Sequence, residues 1–154
     1  MNLITDRTAA DVERYLTLRN KGFANLTEAE KTEWLSNMKG AYNYTDLNRV
    51  EEAVQYVAGR LRERGYSVDI PEAKTWTMNS LPTLSDMNTY LNNIKVIRSA
   101  FATLSTTPQA PASIKGFTYK EANAIEQIIV DVDQLLENMM SAWFFSGDLF
   151  SGEV

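Results

Sequence analysis

The chain contains neither cysteine nor histidine. Without cysteine there is no disulfide framework and no thiolate zinc site. Without histidine, the commonest general base, the usual activator of a hydroxyl or thiol nucleophile and the commonest metal ligand are all missing. Most hydrolase triads are thereby excluded. Glycine and proline are sparse, at seven and four of 154 residues. The phosphate-cradling patterns Gly-x-x-x-x-Gly-Lys-Ser/Thr and Gly-x-Gly-x-x-Gly do not occur, and neither does an Asp-x-Asp-x-Asp-Gly calcium loop. No apolar run approaches the roughly 20 residues of a membrane span. Residues 1–7 lack the basic and apolar regions of a secretion signal. The net charge of −5 disfavours nucleic acid, which needs a basic face. No cofactor, nucleic-acid partner or membrane partner is expected.

What is present reads as one mainly α domain, residues 1–154, built on a bundle of three long helices at about 45–64, 85–104 and 119–143. Two short helices precede them. Thr8 with Asp11 opens the first, whose apolar stripe is Val12, Tyr15, Leu16 and Leu18. Thr27 with Glu30 opens the second, carrying Ala29, Trp34, Leu35 and Met38. Thr45 is read as the N-cap of the central helix, where Leu47, Val50, Val54, Val57 and Leu61 recur at the period of one helical face. Arg60, Arg62 and Arg64 suit the negative end of its dipole, and Gly65 closes it.

Residues 66–70 and 75–78 alternate at period two about Pro71-Glu72-Ala73-Lys74, predicting a small β-hairpin over 66–78. Thr83 or Ser85 caps the next helix, with its stripe at Met87, Tyr90, Ile94, Ile97, Phe101 and Leu104. Residues 105–117 form a long loop stiffened by two prolines. Thr118 with Glu121 opens the last helix, whose wide apolar face runs from Ile125 to Trp143. Such a face belongs to an inner element or also meets another subunit. Residues 144–154 are expected to be an extended aromatic tail that docks on its own domain or a neighbouring chain. It repeats Phe-Ser-Gly-acid-aliphatic twice.

Carboxylates are the remaining catalytic candidates. Asp131 and Asp133 lie two apart on a helix and point in different directions. Glu126, Asp133 and Glu137 share one helical side, which reads as a solvated stripe. No catalytic, cofactor-binding or metal residue is assigned. Tyr42, Tyr44, Trp76, Phe144, Phe145 and Phe150 form the candidate interaction surface, lying at helix edges, in the hairpin or in the tail. Aromatics in such places stack on sugars or bury against a protein. Tyr42 and Tyr44 also suit a plainer role, as end caps of the domain's own core.

Several segments carry a resemblance: Ile4-Thr5-Asp6-Arg7-Thr8, Trp34, Lys74-Thr75-Trp76, the residues from Phe145 to Glu153, and above all Gly40-Ala41-Tyr42-Asn43-Tyr44-Thr45-Asp46-Leu47-Asn48-Arg49-Val50. Nearly end to end, the chain resembles a family of prophage proteins of Gram-positive gut bacteria, encoded in the tail and minor-structural region of phage genomes. The resemblance implies a virion protein made in the bacterial cytoplasm, and it supplies no catalytic residues. The leading expectation is a non-enzymatic structural or interaction module of a phage tail, at the tail tip or baseplate. Its partners would be other tail proteins or further copies of itself. The alternative is a glycan-binding module for host recognition. A carboxylate-dependent cell-wall hydrolase ranks third.

Overall fold

Helix starts in this chain are written within four residues. In the computed structural model, which describes residues 1–100 and 102–148 and only the backbone of 143–148, each of the five α-helices opens on a reciprocal cap. Thr8 and Asp11 open α1 (Ala9–Lys21), and Thr27 and Glu30 open α2 (Glu28–Leu35). Asn43 and Asp46 open α3 (Tyr44–Glu63), and Thr83 and Asp86 open α4 (Leu84–Ser99). At α5 (Tyr119–Asp148) the Glu121 carboxylate accepts from the Thr118 N–H at 2.8 Å. These pairs satisfy backbone donors that a helix leaves open at its start.

The cap of α3 is a correction. Asn43, not Thr45, holds that position. Its Oδ1 accepts from the Thr45 N–H at 2.9 Å, and Asp46 returns a bond to the Asn43 N–H at 2.9 Å. A box on Thr45 would need an acid or glutamine at position 48, where Asn48 stands.

Helices α3, α4 and α5 pack pairwise around one core. Val50, Val57 and Leu61 meet Ile94 and Ile97 from α4 and Ile125, Ile128, Ile129 and Val132 from α5, all with no exposed surface. Each such side chain is worth about 1.5–3 kcal/mol when buried. Helices α1 and α2 pair with each other beside this core. Tyr15 stacks on Trp34 with ring centroids 5.3 Å apart, and Arg14–Glu33 and Lys21–Glu30 ion pairs bridge the two helices. Gly40 lets the following turn pass against α1, since a Cβ there would lie 2.0 Å from the Asp11 carbonyl oxygen.

The hairpin expected over 66–78 does not form, and no strand occurs among the described residues. The segment is extended, but it lies along α3. Asn48, Gln55 and Arg62, spaced by seven and so two turns apart, reach its backbone. The Asn48 amide brackets Trp76, donating to its carbonyl and accepting from its N–H, both at 2.8 Å. Gln55 donates to the Pro71 carbonyl at 2.6 Å and Arg62 to the Val68 carbonyl at 2.9 Å. Val68, Ile70 and Trp76 then point into the core. The period-two pattern marked burial correctly at Val68, Ile70 and Trp76 but not at Met78, which is exposed; side chains of a helix replaced the partner strand.

Two boundaries also differ. Helix α4 stops at Ser99 and not at 104; the Ser99 hydroxyl bonds back to the Lys95 carbonyl at 2.7 Å, and a threonine- and serine-rich stretch follows. Leu104 is off the helix and exposed, and Phe101 lies outside the described residues. Helix α5 continues through 144–148, which were expected to be extended, because no breaker precedes Gly147 and each added residue gains a backbone bond. Residues 149–154 lie outside the described residues. The 105–117 loop is irregular as expected, and Arg98 ties it to α4 through the Pro108 carbonyl at 2.6 Å. No described helix is long and apolar enough to cross a membrane.

Candidate functional site

The turn between α2 and α3 and the segment after Trp76 enclose a groove of about 580 Å³. This lies within the size range of small-ligand sites. Its aromatic lining comes from four places in the chain: Tyr15 on α1, Trp34 on α2, Tyr42 and Tyr44 at the start of α3, and Trp76 on the extended segment. Its polar lining is Asn37, Asn43, Thr45, Thr77 and Ser80. No lining residue carries a charge. Leu35 and Met78 also line it and are 74% and 81% exposed.

Three of the six aromatics singled out from sequence therefore meet at one groove, in different states. Tyr44 is half-buried and lines it. Tyr42 is partly committed to the fold: its hydroxyl shares a 2.5 Å hydrogen bond with that of Tyr90, and its ring packs on Phe117 with the Arg7 guanidinium over it. Burial raises the Tyr42 hydroxyl pKa, so it stays protonated. Trp76 is a correction to the exposed-aromatic reading. It is buried, with Lys74 over its ring and Asn48 on its backbone, and it forms groove wall without a free face. Phe144 and Phe145 belong to the last turns of α5, and Phe150 lies outside the described residues.

Sequence reasoning placed Tyr15 and Trp34 on packing stripes and did not connect them to this site. Their helices are short and only tertiary pairing brings them to the groove. Among the described residues, Tyr15, Trp34 and Tyr44 make no side-chain hydrogen bond, so two hydroxyls and an indole N–H remain available. Asn37 adds an amide. Its backbone sits at φ 66°, a left-handed conformation that asparagine tolerates. Its Oδ1 accepts from Asn43 Nδ2 at 3.0 Å and from Thr45 Oγ1 at 2.8 Å, leaving its NH₂ group free. A single signal was available in sequence: Asn37 lies just past the end of a helix, where left-handed residues collect.

Of the acids expected to form a solvated stripe, Glu137 is exposed and Asp133 half-buried, but Glu126 is a correction. Glu126 is fully buried, held by Arg7 at 2.7 Å and Arg49 at 2.8 Å. Asp46 joins the same cluster through Arg7 at 2.9 Å. Burial opposes the charge of Arg49, but Glu126 and Asp46 outweigh it and raise its pKa. Asp133 and Glu137 both pair with Arg60. Glu51 has no such partner: burial pushes its carboxyl up to about 6, and the neighbouring Trp76 indole opposes part of that rise. The indole N–H nevertheless makes no hydrogen bond of normal geometry. Among the described residues, no three acids gather in a way that could hold a metal ion.

No protein-family model matches this chain, and no curated protein or solved structure is significantly similar to it.

Proposed function

We propose that this chain is a non-enzymatic interaction module of a phage tail, at the tail tip or baseplate, with the uncharged aromatic groove as its working surface. The groove carries the reading. Centres of binding surfaces are depleted in charge and enriched in aromatic side chains and methionine, and this lining has that character in a chain where 23% of residues are charged. The buried Arg7, Asp46 and Glu126 are committed to one another, which suits a structural role for these ionisable groups. The virion setting rests on the resemblance of the Gly40–Val50 segment.

Attachment to the tail would use apolar surface outside the groove. Leu81 and Leu84 are 89% and 70% exposed and are not part of its lining. The partners are other tail proteins or further copies of this chain. The test is a pull-down of tail proteins from the cognate phage, read with the solution mass. Capture of a tail component, or a stable oligomer, that is lost in a Leu81→Glu, Leu84→Glu double variant supports the module. A strict monomer that captures none of them removes the proposal, and clearing in a peptidoglycan zymogram would move it to the hydrolase reading.

A further inference from the structure

We infer that the groove is a binding site for a neutral oligosaccharide. This deepens the reading of the groove as a working surface and rests on it.

The ligand class follows from what the lining offers and what it lacks. Sugars present two kinds of surface: apolar C–H faces and a dense ring of hydroxyls. The first stack on aromatic rings, and the second need short, uncharged donors and acceptors. Trp34 and Tyr44 supply half-buried rings in the groove. Their polar tips, the Tyr15 hydroxyl and the Asn37 NH₂ group make no hydrogen bond among the described residues. An apolar peptide would leave these groups dry and unpaired, at a cost for each. A sugar satisfies them.

Absence of charge selects further. Phosphate- and carboxylate-bearing polymers are recognised by arginine, lysine or an open helix N-terminus. The groove lining has no cation. The start of α3 opens beside it, but Asn43 and Asp46 already occupy that helix end. The cation beside the lining, Lys74 over the Trp76 ring, is already paired with Asp86, so an anionic glycan finds no unpaired cation there, whereas a neutral one needs none. Asn37 is held in place for this purpose: its carbonyl oxygen is bonded by both Asn43 and Thr45, which aligns the side chain and frees its NH₂ group.

The experiment is titration of the purified full chain with chitotriose, cellotriose and maltotriose as neutral probes and trigalacturonate as the anionic control. Tryptophan fluorescence and isothermal calorimetry are the readouts. Titration to about 10 mM saturates even a ligand of millimolar Kd. The expected result is saturable binding of at least one neutral probe, with no response to trigalacturonate. Trp34→Ala should weaken it about tenfold or more, the loss of one stacking platform. Tyr44→Phe, which keeps the ring and removes only the hydroxyl, should weaken it severalfold with an unchanged melting curve. No response to any neutral probe overturns the inference, as does equal binding of the anion. So does capture of a tail protein that Tyr44→Phe and Trp34→Ala abolish, since the groove would then hold a protein. Sugar binding on the isolated chain is independent of tail capture, so either can fail without the other.

Discussion

Arg7 and Glu126 stand 119 residues apart in sequence and 2.7 Å apart in the fold, with neither side chain more than 2% exposed. Their contact closes the N-terminal segment over α3 and α5. The other Glu126 oxygen accepts from the Ile4 N–H at 2.6 Å, and Arg7 donates to the Ile4 carbonyl at 2.7 Å. Asn123 adds a two-way bond to the Arg7 backbone. Two arginines and two acids make the buried cluster neutral. Removing one member leaves a buried charge without compensation.

Glu126→Gln should therefore destabilise the protein by about 3–5 kcal/mol in urea unfolding, although the side chain keeps its shape. The difference should persist in high salt, because buried pairs are little screened. A loss below about 1 kcal/mol would mean that the cluster is solvated.

Gly40 and Gly65 separate two uses of glycine. An alanine at Gly40 meets the backbone of Asp11, with the carbonyl carbon at 2.5 Å. Relief requires moving α1, so Gly40→Ala should cost about 1–3 kcal/mol and shift amide resonances throughout α1. At Gly65 the space is open but φ is 83°. Gly65→Ala should cost about 1–2 kcal/mol through backbone conformation alone, with only local shifts. Equal effects on α1 in both variants would contradict the close approach.

Asn48 replaces a partner strand for Trp76. Asn48→Ala removes two hydrogen bonds and should cost about 1–3 kcal/mol. Exchange of the Trp76 amide hydrogen should accelerate, while the amides of Val54 and Val57 in α3 stay protected. If the Trp76 amide remains as protected as in the parent chain, something other than Asn48 holds the extended segment.

Glu51 gives a pH dependence with a definite sign. Its folded pKa of about 6 lies above the ordinary 4.5. The folded state binds its proton more tightly, so this contribution is complete below about pH 4.5 and is lost as pH rises through 6. Glu51→Gln removes the cost of the buried carboxylate. The variant should be more stable than the parent at pH 7.5 by on the order of 1 kcal/mol, and the gap should close near pH 4. Thermal melts of both proteins across that range decide it; a gap that widens toward low pH has the wrong sign.

The sequence by itself determined whatever is local. The caps at Thr8, Thr27 and Thr118, the α4 cap as one of Thr83 and Ser85, the α3 stripe of Leu47, Val50, Val54, Val57 and Leu61, and the irregular 105–117 loop were legible because their causes lie within a few residues or one helical face. Asn43 was missed beside Thr45 because two capping residues competed and only the acid three positions on chooses between them. What tertiary structure decided is everything that needs a distant partner. Period two cannot say whether residues 66–78 pair with a strand or with Asn48, Gln55 and Arg62. Helical spacing put Glu126 on a charged side and could not reveal Arg7, because burial of a charge depends on what chain folding brings to it. The groove has the same origin. Tyr15, Trp34, Tyr44 and Asn37 belong to separate elements, and only the packing of α1 and α2 beside the α3–α5 core makes them one surface.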